Sequence, residues 1–477
     1  MKSIKNPPLI PSCHQPGALQ LEALERRLLL SAVLTGIETD GDEYEIRILG
    51  AGAILDGSLE NLTVSGTNMN SILQVTVKTP VADGLLEVGQ VDTGGSNLGR
   101  LWVQGDLGAL MVGRISRIKV DTLGAAAEAS HLFNIAGDAG DILVPGGVSD
   151  AAVTVSGSLR KLQVGRPYDG SSNISNSSFS VWGNLDYIRL RQSLTADSTI
   201  SVHGDVLKID IDKSVTSSAI DVDGNVEKII VDGGIRNNCS ISVAGDVFFF
   251  KAVKTVSDTN INIDGTLTLG KFRTDIQNST LLCDAVDQLL VKDDLNDTQI
   301  GIAGDLNYLK ANDSQGLTLR VGGTLNRAKI VRDLDEALLA VLDGIGSVKV
   351  GQDLYRSTIV GGIDIGADFT LDPAPGGDDI EWGNIEIKKV KIGGDMIDSS
   401  IAAGVSPRGP FFGDGDDEPA ADNTGTARIH RIIVKGDISS TNLPGESYAI
   451  TAGDLIDLVR SNRLPFNGTA GVVLQLF

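Results

Sequence analysis

Aromatic side chains are scarce in this chain of 477 residues, with 3 Trp, 6 Tyr and 11 Phe. Compact globular cores lean on aromatic rings for much of their buried area, so a thick, single-centred core is not expected. Cysteine is nearly absent. Cys13, Cys239 and Cys283 are an odd and widely spaced set, which excludes a disulfide scaffold and a thiolate zinc site. Cys239 and Cys283 read as small apolar fillers. The four histidines (His14, His131, His203 and His430) show no metal-ligand spacing. No apolar run approaches the ~20 residues of a membrane-spanning helix, so an integral helical membrane protein is not expected. A phosphate-binding loop ending in Lys-Ser or Lys-Thr is missing as well.

Positive charge is in deficit. Lys and Arg number 40 against 62 Asp and Glu, a net charge of −22. A field of that sign disfavours nucleic acid as a partner and favours solubility.

Glycine is plentiful, at 57 residues, and it is periodic. Gly137, 157, 183, 204, 224, 245, 265, 304, 323 and 344 are separated by 20, 26, 21, 20, 21, 20, 39, 19 and 21 residues. The gap of 39 spans two units, with Asp284 in the place of glycine. Around each glycine the chain reads apolar-x-apolar-x-Gly-polar-apolar-x-x-apolar-x-apolar. Examples are Ile200, Val202, Gly204, Asp205, Val206, Ile209 and Ile211, then Ile220, Val222, Gly224, Asn225, Val226, Ile229 and Val231. A third short segment, such as Ser214-Val215 or Thr255-Val256, completes each unit. Alternation at period two means strands. The expectation is an all-β fold: a single-stranded, right-handed parallel β-helix, a three-faced solenoid with ~20-residue rungs. About twenty rungs are expected, with Gly57, Gly105, Gly394, Gly436 and Gly453 extending the pattern. The corner glycines are expected to supply positive φ, with Asp or Asn capping the turn. Ala125 to Leu132 and Asp333 to Leu342 are the two stretches that read as short helices.

The pattern divides the chain into three parts. Residues 1–33 are a disordered N-terminus with an export-like segment. Residues 34–460 form the solenoid, whose first strands lie in 34–50. Residues 461–477 form a C-terminal cap or tail. Two Pro-, Gly- and Asp-rich stretches, 368–384 and 404–426, read as loops projecting from the rod, where binding functions concentrate.

Candidate chemistry is thin. Asp414, Asp416, Asp417 and Asp422 lie on one loop and offer a hard-cation oxygen set, a calcium candidate. Asp40, Asp42 and Glu43 form a second. No other cofactor is implied. For carbohydrate cleavage, which needs carboxylates on a common groove, the best set is Asp378, Asp379 and Glu381 with Lys388 or Lys389. The ordered motifs of polygalacturonase-like β-helices are not kept. Arg117-Ile118-Lys119 comes too early, Val202-His203-Gly204 lacks the first glycine, and Asn423-Thr424-Gly425 lacks the aspartate. No catalytic residue is assigned.

Residues 21–32 read Leu-Glu-Ala-Leu-Glu-Arg-Arg-Leu-Leu-Leu-Ser-Ala. This resembles the LEPR-xLL motif near the start of large, repeat-rich bacterial proteins. Leu24, Glu25, Arg27, Leu29, Leu30, Ser31 and Ala32 match it, while Arg26 stands where the motif has proline. The resemblance implies a sorting role and a secreted or cell-surface location. The functional expectation is a non-enzymatic, exported or surface solenoid with a structural, adhesive or polysaccharide- or protein-binding role. A parallel β-helix polysaccharide lyase or glycoside hydrolase is the alternative.

Overall fold

A computed structural model describes residues 32–124, 131–166, 173–371, 380–381, 384–407, 412, 417–420, 426–440, 448–461 and 472–476. Among them the fold is all-β, without helix: a parallel solenoid of about 13 turns. At ~4.8 Å per strand its regular part is roughly 60 Å long.

Each turn has a long face, a short face and a middle face. One full turn runs Val206–Ile211 (long, six residues), Val215–Thr216 (short, two) and Ala219–Val222 (middle, four). Equivalent strands pair in parallel, turn on turn. On the long face Ile188 lies opposite Ile209, Ile209 opposite Ile229, and Ile229 opposite Phe250. These inward residues are essentially unexposed and belong to one continuous apolar column. Each contributes about 1.5–3 kcal/mol by leaving water. Val, Ile and Leu suit the narrow interior because β-branched and aliphatic side chains stack without polar atoms.

The count of about twenty rungs was an overestimate, because both ends depart from the repeat. At the N-terminal end Ala32–Ile37 pairs antiparallel with Glu43–Leu49, which pairs antiparallel with Ile72–Thr79. The first described strand starts at Ala32, ahead of the expected start at 34 and within the stretch expected to be disordered, and it stands as a largely exposed edge strand paired with Glu43–Leu49. Gly57 falls in another antiparallel pair, Ala53–Gly57 with Asn61–Ser65, and not at a corner. At the other end the backbone of Val472–Leu476 adds in parallel to Tyr448–Ala452.

The recurrent glycines sit at the middle-to-long corner, but their reason is not positive φ; none of Gly137 to Gly323 in the series adopts it. At Gly157 to Gly265 and at Gly323 they are required by contact. A Cβ on Gly224 would lie 2.6 Å from the Gly204 carbonyl, and one on Gly245 would lie 2.8 Å from the Gly224 oxygen. The following Asp or Asn stitches the turns together. Asp205 N–H donates to Asn184 Oδ1 (3.0 Å), Asn225 N–H to Asp205 Oδ1 (2.8 Å) and Asp246 N–H to Asn225 Oδ1 (2.9 Å). Gly394 and Gly436 belong to a different corner, the long-to-short one, where a second aspartate ladder runs. There Asp353 N–H donates to Asp333 Oδ1 (2.8 Å), Asp395 N–H to Asp353 Oδ1 (2.6 Å) and Asp437 N–H to Asp395 Oδ1 (2.7 Å). Part of the acidity of this chain therefore serves the backbone.

Left-handed backbone is concentrated at the remaining, short-to-middle corner. Asn176, Asp197, Ser217, Asp258, Asn278, Asp297 and Asp398 all have φ between 46° and 56° there. Asn and Asp tolerate this region best among residues with a side chain. Just beyond it runs a buried column of Ser and Thr hydroxyls. Ser357 Oγ, for example, donates to the Tyr355 carbonyl (2.7 Å) and accepts the Ala337 N–H (3.0 Å). Cys239 occupies the same column, its Sγ 2.9 Å from the Arg236 carbonyl. Cys283 faces the core, where burial pushes its thiol up to about 12. Both are free and buried, the filler role expected of them.

Residues 333–342 are not a helix. They form Leu334–Asp335 on the short face and Leu338–Val341 on the middle face. Of 125–132, residues 125–130 lie outside the described ones. The two irregular stretches do not simply project. Where it is described, the chain leaving at Gly362 and Gly404 folds back over the middle face. Ile363, Ile365, Val405 and Phe412 pack on Ala340, Val360, Ala402 and Ala449, a second small core outside the rod. The outward column beneath changes accordingly. It runs Ser180, Ser201, Asp221, Ser242 and Asn262 in the bare turns, then Ala340, Val360 and Ala402 in the covered ones.

Candidate functional site

The expected calcium loop is only partly described. Asp414, Asp416 and Asp422 lie outside the described residues, while Asp417 is buried beside the Val405–Ser406 and Glu418–Pro419 pairing. Of the second set, Asp40 and Asp42 do converge, with Glu38 as the third member in place of Glu43. Each of the three accepts a backbone N–H, while Glu38 Oε2 is buried without a hydrogen-bond partner among the described residues. Asp42 accepts N–H groups from Val81, Ala82 (2.7 Å) and Gly84 (3.0 Å), and these hold its carboxyl below the usual range. Glu38 Oε1 accepts the Glu87 N–H (2.8 Å), and Asp40 Oδ1 accepts the Asp42 N–H (3.0 Å). Glu43 instead accepts the Thr79 hydroxyl (2.8 Å). Asp42 clamps the 81–84 loop to the N-terminal cap, and Glu38 adds a bond to Glu87 just beyond it.

The candidate cleavage set is dispersed. Asp378 and Asp379 lie outside the described residues. Ile380–Glu381 pairs with Ile363–Asp364 over the middle face, whereas Lys388 and Lys389 lead into the Val390–Ile392 strand of the long face.

The long face carries the most organised surface. Its strands follow one burial scheme, inward at positions one, four and six, so positions two, three and five face outward, and the third and fifth stack into columns rich in cations. In the fifth-position column, each residue opposite the next, run Ile230, Lys251, Lys271, Leu290, Lys310, Lys329, Lys349 and Lys391. The third-position column contains Arg100, Arg117, Lys161, Lys208, Lys228 and Arg327. Between Arg100 and Lys391 the acidic residues of the two columns are Asp141 and Asp210. Aromatic rings alternate with the cations: Lys161 and Lys208 lie over Tyr187 (5.8 and 5.3 Å), Lys228 over Phe249 (5.3 Å) and Arg327 over Tyr308 (5.3 Å). Such contacts orient the cationic heads along the face.

The two halves of this face differ. Toward the N-terminus some of the cations are neutralised, while Arg100, Lys119, Lys161 and Lys228 enter no ion pair among the described residues. Asp141 pairs with Arg117 (2.8 Å) and Arg160 (2.5 Å), and Asp210 with Lys208 (2.8 Å) and the Tyr187 hydroxyl (3.1 Å). Lys251 still has Asp232 at 3.1 Å. Beyond it, among the described residues, Lys271, Lys310, Lys329, Lys349 and Lys391 enter no ion pair.

A site the residue pattern did not reveal lies near the N-terminal end. Asp106 is pushed up to about 6, by burial first and then by repulsion from Glu87, Asp121 and Asp83. Its folded value lies above the unfolded one of ~3.9. The proton is thus held more tightly in the folded state, and stability falls as pH rises through about 4 to 6. Asp106→Asn is expected to raise stability at pH 7–8 by about 1–2 kcal/mol and to flatten its pH dependence between about 4 and 6. Urea unfolding at a series of pH values reads this directly, and an unchanged slope would count against a buried, repelled Asp106.

Comparison with family models, curated proteins and solved structures found no match for this chain.

Proposed function

We propose that this protein is a non-enzymatic, exported or cell-surface solenoid with an adhesive or structural role, and that its long face is the surface it presents to a partner. The segregation of charge carries this reading. In a chain of net charge −22, the third- and fifth-position columns of one face hold Asp141 and Asp210 as their acidic residues, the other acids of these strands, such as Asp186, Glu227 and Asp287, standing at the second position. The LEPR-xLL-like segment at residues 21–32 supports the export part.

The test uses the full chain with immobilised neutral and acidic polysaccharides, with and without calcium. It scores retention and the release of reducing or unsaturated ends. Retention without release is expected. Release of ends would overturn the non-enzymatic reading. In its favour the carbohydrate-active alternative has Asp106, a carboxyl that stays protonated to about pH 6 beside other carboxylates, as a general acid must; loss of cleavage in Asp106→Asn would then assign it. For the export part, alanine at Arg27, Leu29 and Leu30 should hold the protein inside the producing cell, and unchanged secretion would refute it.

A further inference from the structure

The lysine column between Lys271 and Lys391 is costly to the fold. Like charges directly opposite one another on neighbouring strands destabilise a sheet, and here five lysines occupy six consecutive strands of the long face. The same face shows how this chain neutralises such columns, with Asp141 between Arg117 and Arg160 and Asp210 beside Lys208. Among the described residues no carboxylate pairs with the column from Lys271 onward. The side chains are exposed or half-exposed, and each residue of the column lies opposite the next in register. The column spans five strand steps of ~4.8 Å, roughly 24 Å, parallel to the rod axis.

We infer that this column is the binding site for a linear acidic polysaccharide, carboxylated or sulfated, lying along the rod with its anions over successive lysines. The inference rests on the binding-rod reading and names its ligand. An extended sugar chain carries its charges in succession, as the column does. Duplex DNA winds its phosphates away from a flat face and carries one negative charge per ~1.7 Å, against a protein of net charge −22. Single-stranded nucleic acid binds through open aromatic faces; between Lys271 and Lys391 the aromatic ring of the outward columns is Tyr308, which lies under Arg327, and the open ring Phe248 stands one strand before the column. The acidic corner ladders weaken the site little, since their carboxylates accept backbone N–H groups and exposed charges beyond ~8–10 Å are screened at physiological salt.

The experiment measures binding of the full chain to polygalacturonate, heparin, dextran, a short duplex DNA and phosphatidylserine-containing vesicles over a range of salt. The acidic polysaccharides are expected to bind, with log K falling linearly in log salt, and dextran is not. The triple variant Lys310→Gln, Lys329→Gln and Lys349→Gln should bind at least ~10-fold more weakly at low salt. Its salt slope should drop by about two, at roughly 0.7 per contact. The matching Lys→Arg triple should retain binding. Melting of the Gln triple should be unchanged or higher, because only exposed, mutually repelling groups are removed. Equal binding by the Gln triple, or absence of binding to either acidic polymer, would overturn the inference. Tighter binding of DNA or vesicles would overturn it in favour of those surfaces. Dextran retained as well as the acidic chains would sink the inference while leaving the binding-rod reading standing, whereas release of chain ends would remove that reading itself.

Discussion

Gly224→Ala is expected to destabilise the rod by about 2–4 kcal/mol, the range of a forced overpacking with no room to relax. The added Cβ would lie 2.6 Å from both the carbon and the oxygen of the Gly204 carbonyl, and 2.7 Å from Asp205 Oδ1. The obstacle is backbone, so no rotamer change relieves it. The turns on either side must separate, and with them go the Asn225-to-Asp205 and Asp246-to-Asn225 contacts of the corner ladder. A solenoid is held by nearest-neighbour interfaces. The damage should therefore appear as a split or broadened unfolding transition, with the two halves melting separately. Calorimetry or urea titration would show it. Two companions make the cause identifiable. Gly224→Asn should fail as badly as alanine, since the trouble is space; if left-handed backbone were the reason for glycine, Asn would be the best tolerated replacement. Gly344→Ala should be harmless or stabilise by about 0.4–1 kcal/mol, because its Cβ would meet only the Glu386 oxygen at an ordinary 3.7 Å. A single sharp transition at the native midpoint in Gly224→Ala would refute the close-stacking account.

Asp364→Ala is expected to release the segment that crosses the middle face. Asp364 is buried and takes a two-pronged ion pair from Arg320, through Nε to Oδ1 and through Nη2 to Oδ2 (2.9 Å). Arg320 stands outward on the Thr318–Val321 strand, so the pair ties the excursion to the rod two turns below its exit at Gly362. Ile363 and Ile365 then press on Ala340 and Val360, and Phe369 covers Gly301, where an added Cβ would meet its ring at 2.8 Å. Removing one partner of a buried pair leaves the other uncompensated and costs ~3–5 kcal/mol. With Arg320 about a quarter exposed, roughly 2–3 kcal/mol is the better expectation. That cost should fall on the segment, not on the rod. Amide exchange and protease cleavage within 363–371 should rise by ~30-fold or more, while the main melting transition stays in place. Arg320→Met should do the same, and unchanged protection in both variants would mean the apolar contacts alone hold the segment.

Both expectations concern positions whose role is invisible in one dimension. The period of the glycines, the apolar residues at positions such as Val206, Ile209 and Ile211, and the third short segment were legible because strand alternation and a ~20-residue repeat are local patterns. The reason for the glycines was not, because the atom that forbids a side chain belongs to the next turn. The left-handed corner was legible only as scattered Asn, Asp and Ser, residues that serve many turns. Gly394 and Gly436 looked like continuations of the first series, but they stand at the long-to-short corner, as Gly233 and Gly351 do. The basic stripe had a readable signal that the glycine register alone did not expose. Lys251, Lys271, Lys310, Lys329 and Lys349 recur in step with the glycines, always fifth in the long-face strand, whereas the overall charge pointed the other way.

By itself, then, the sequence determined that this chain coils: three short strands per turn, an aliphatic interior, small polar corners, and no constellation that commits it to a reaction. These follow from preferences that act within a few residues. Only the tertiary structure decided which residues of successive turns stand one above another. That stacking made Gly224 irreplaceable, spent aspartates on backbone N–H groups, buried Asp364 against Arg320, and gathered lysines 19 to 42 residues apart in sequence into one column ~4.8 Å from strand to strand. Steric contact, ion pairing and a binding surface are all set by distances between turns, and those distances exist only once the chain has wound.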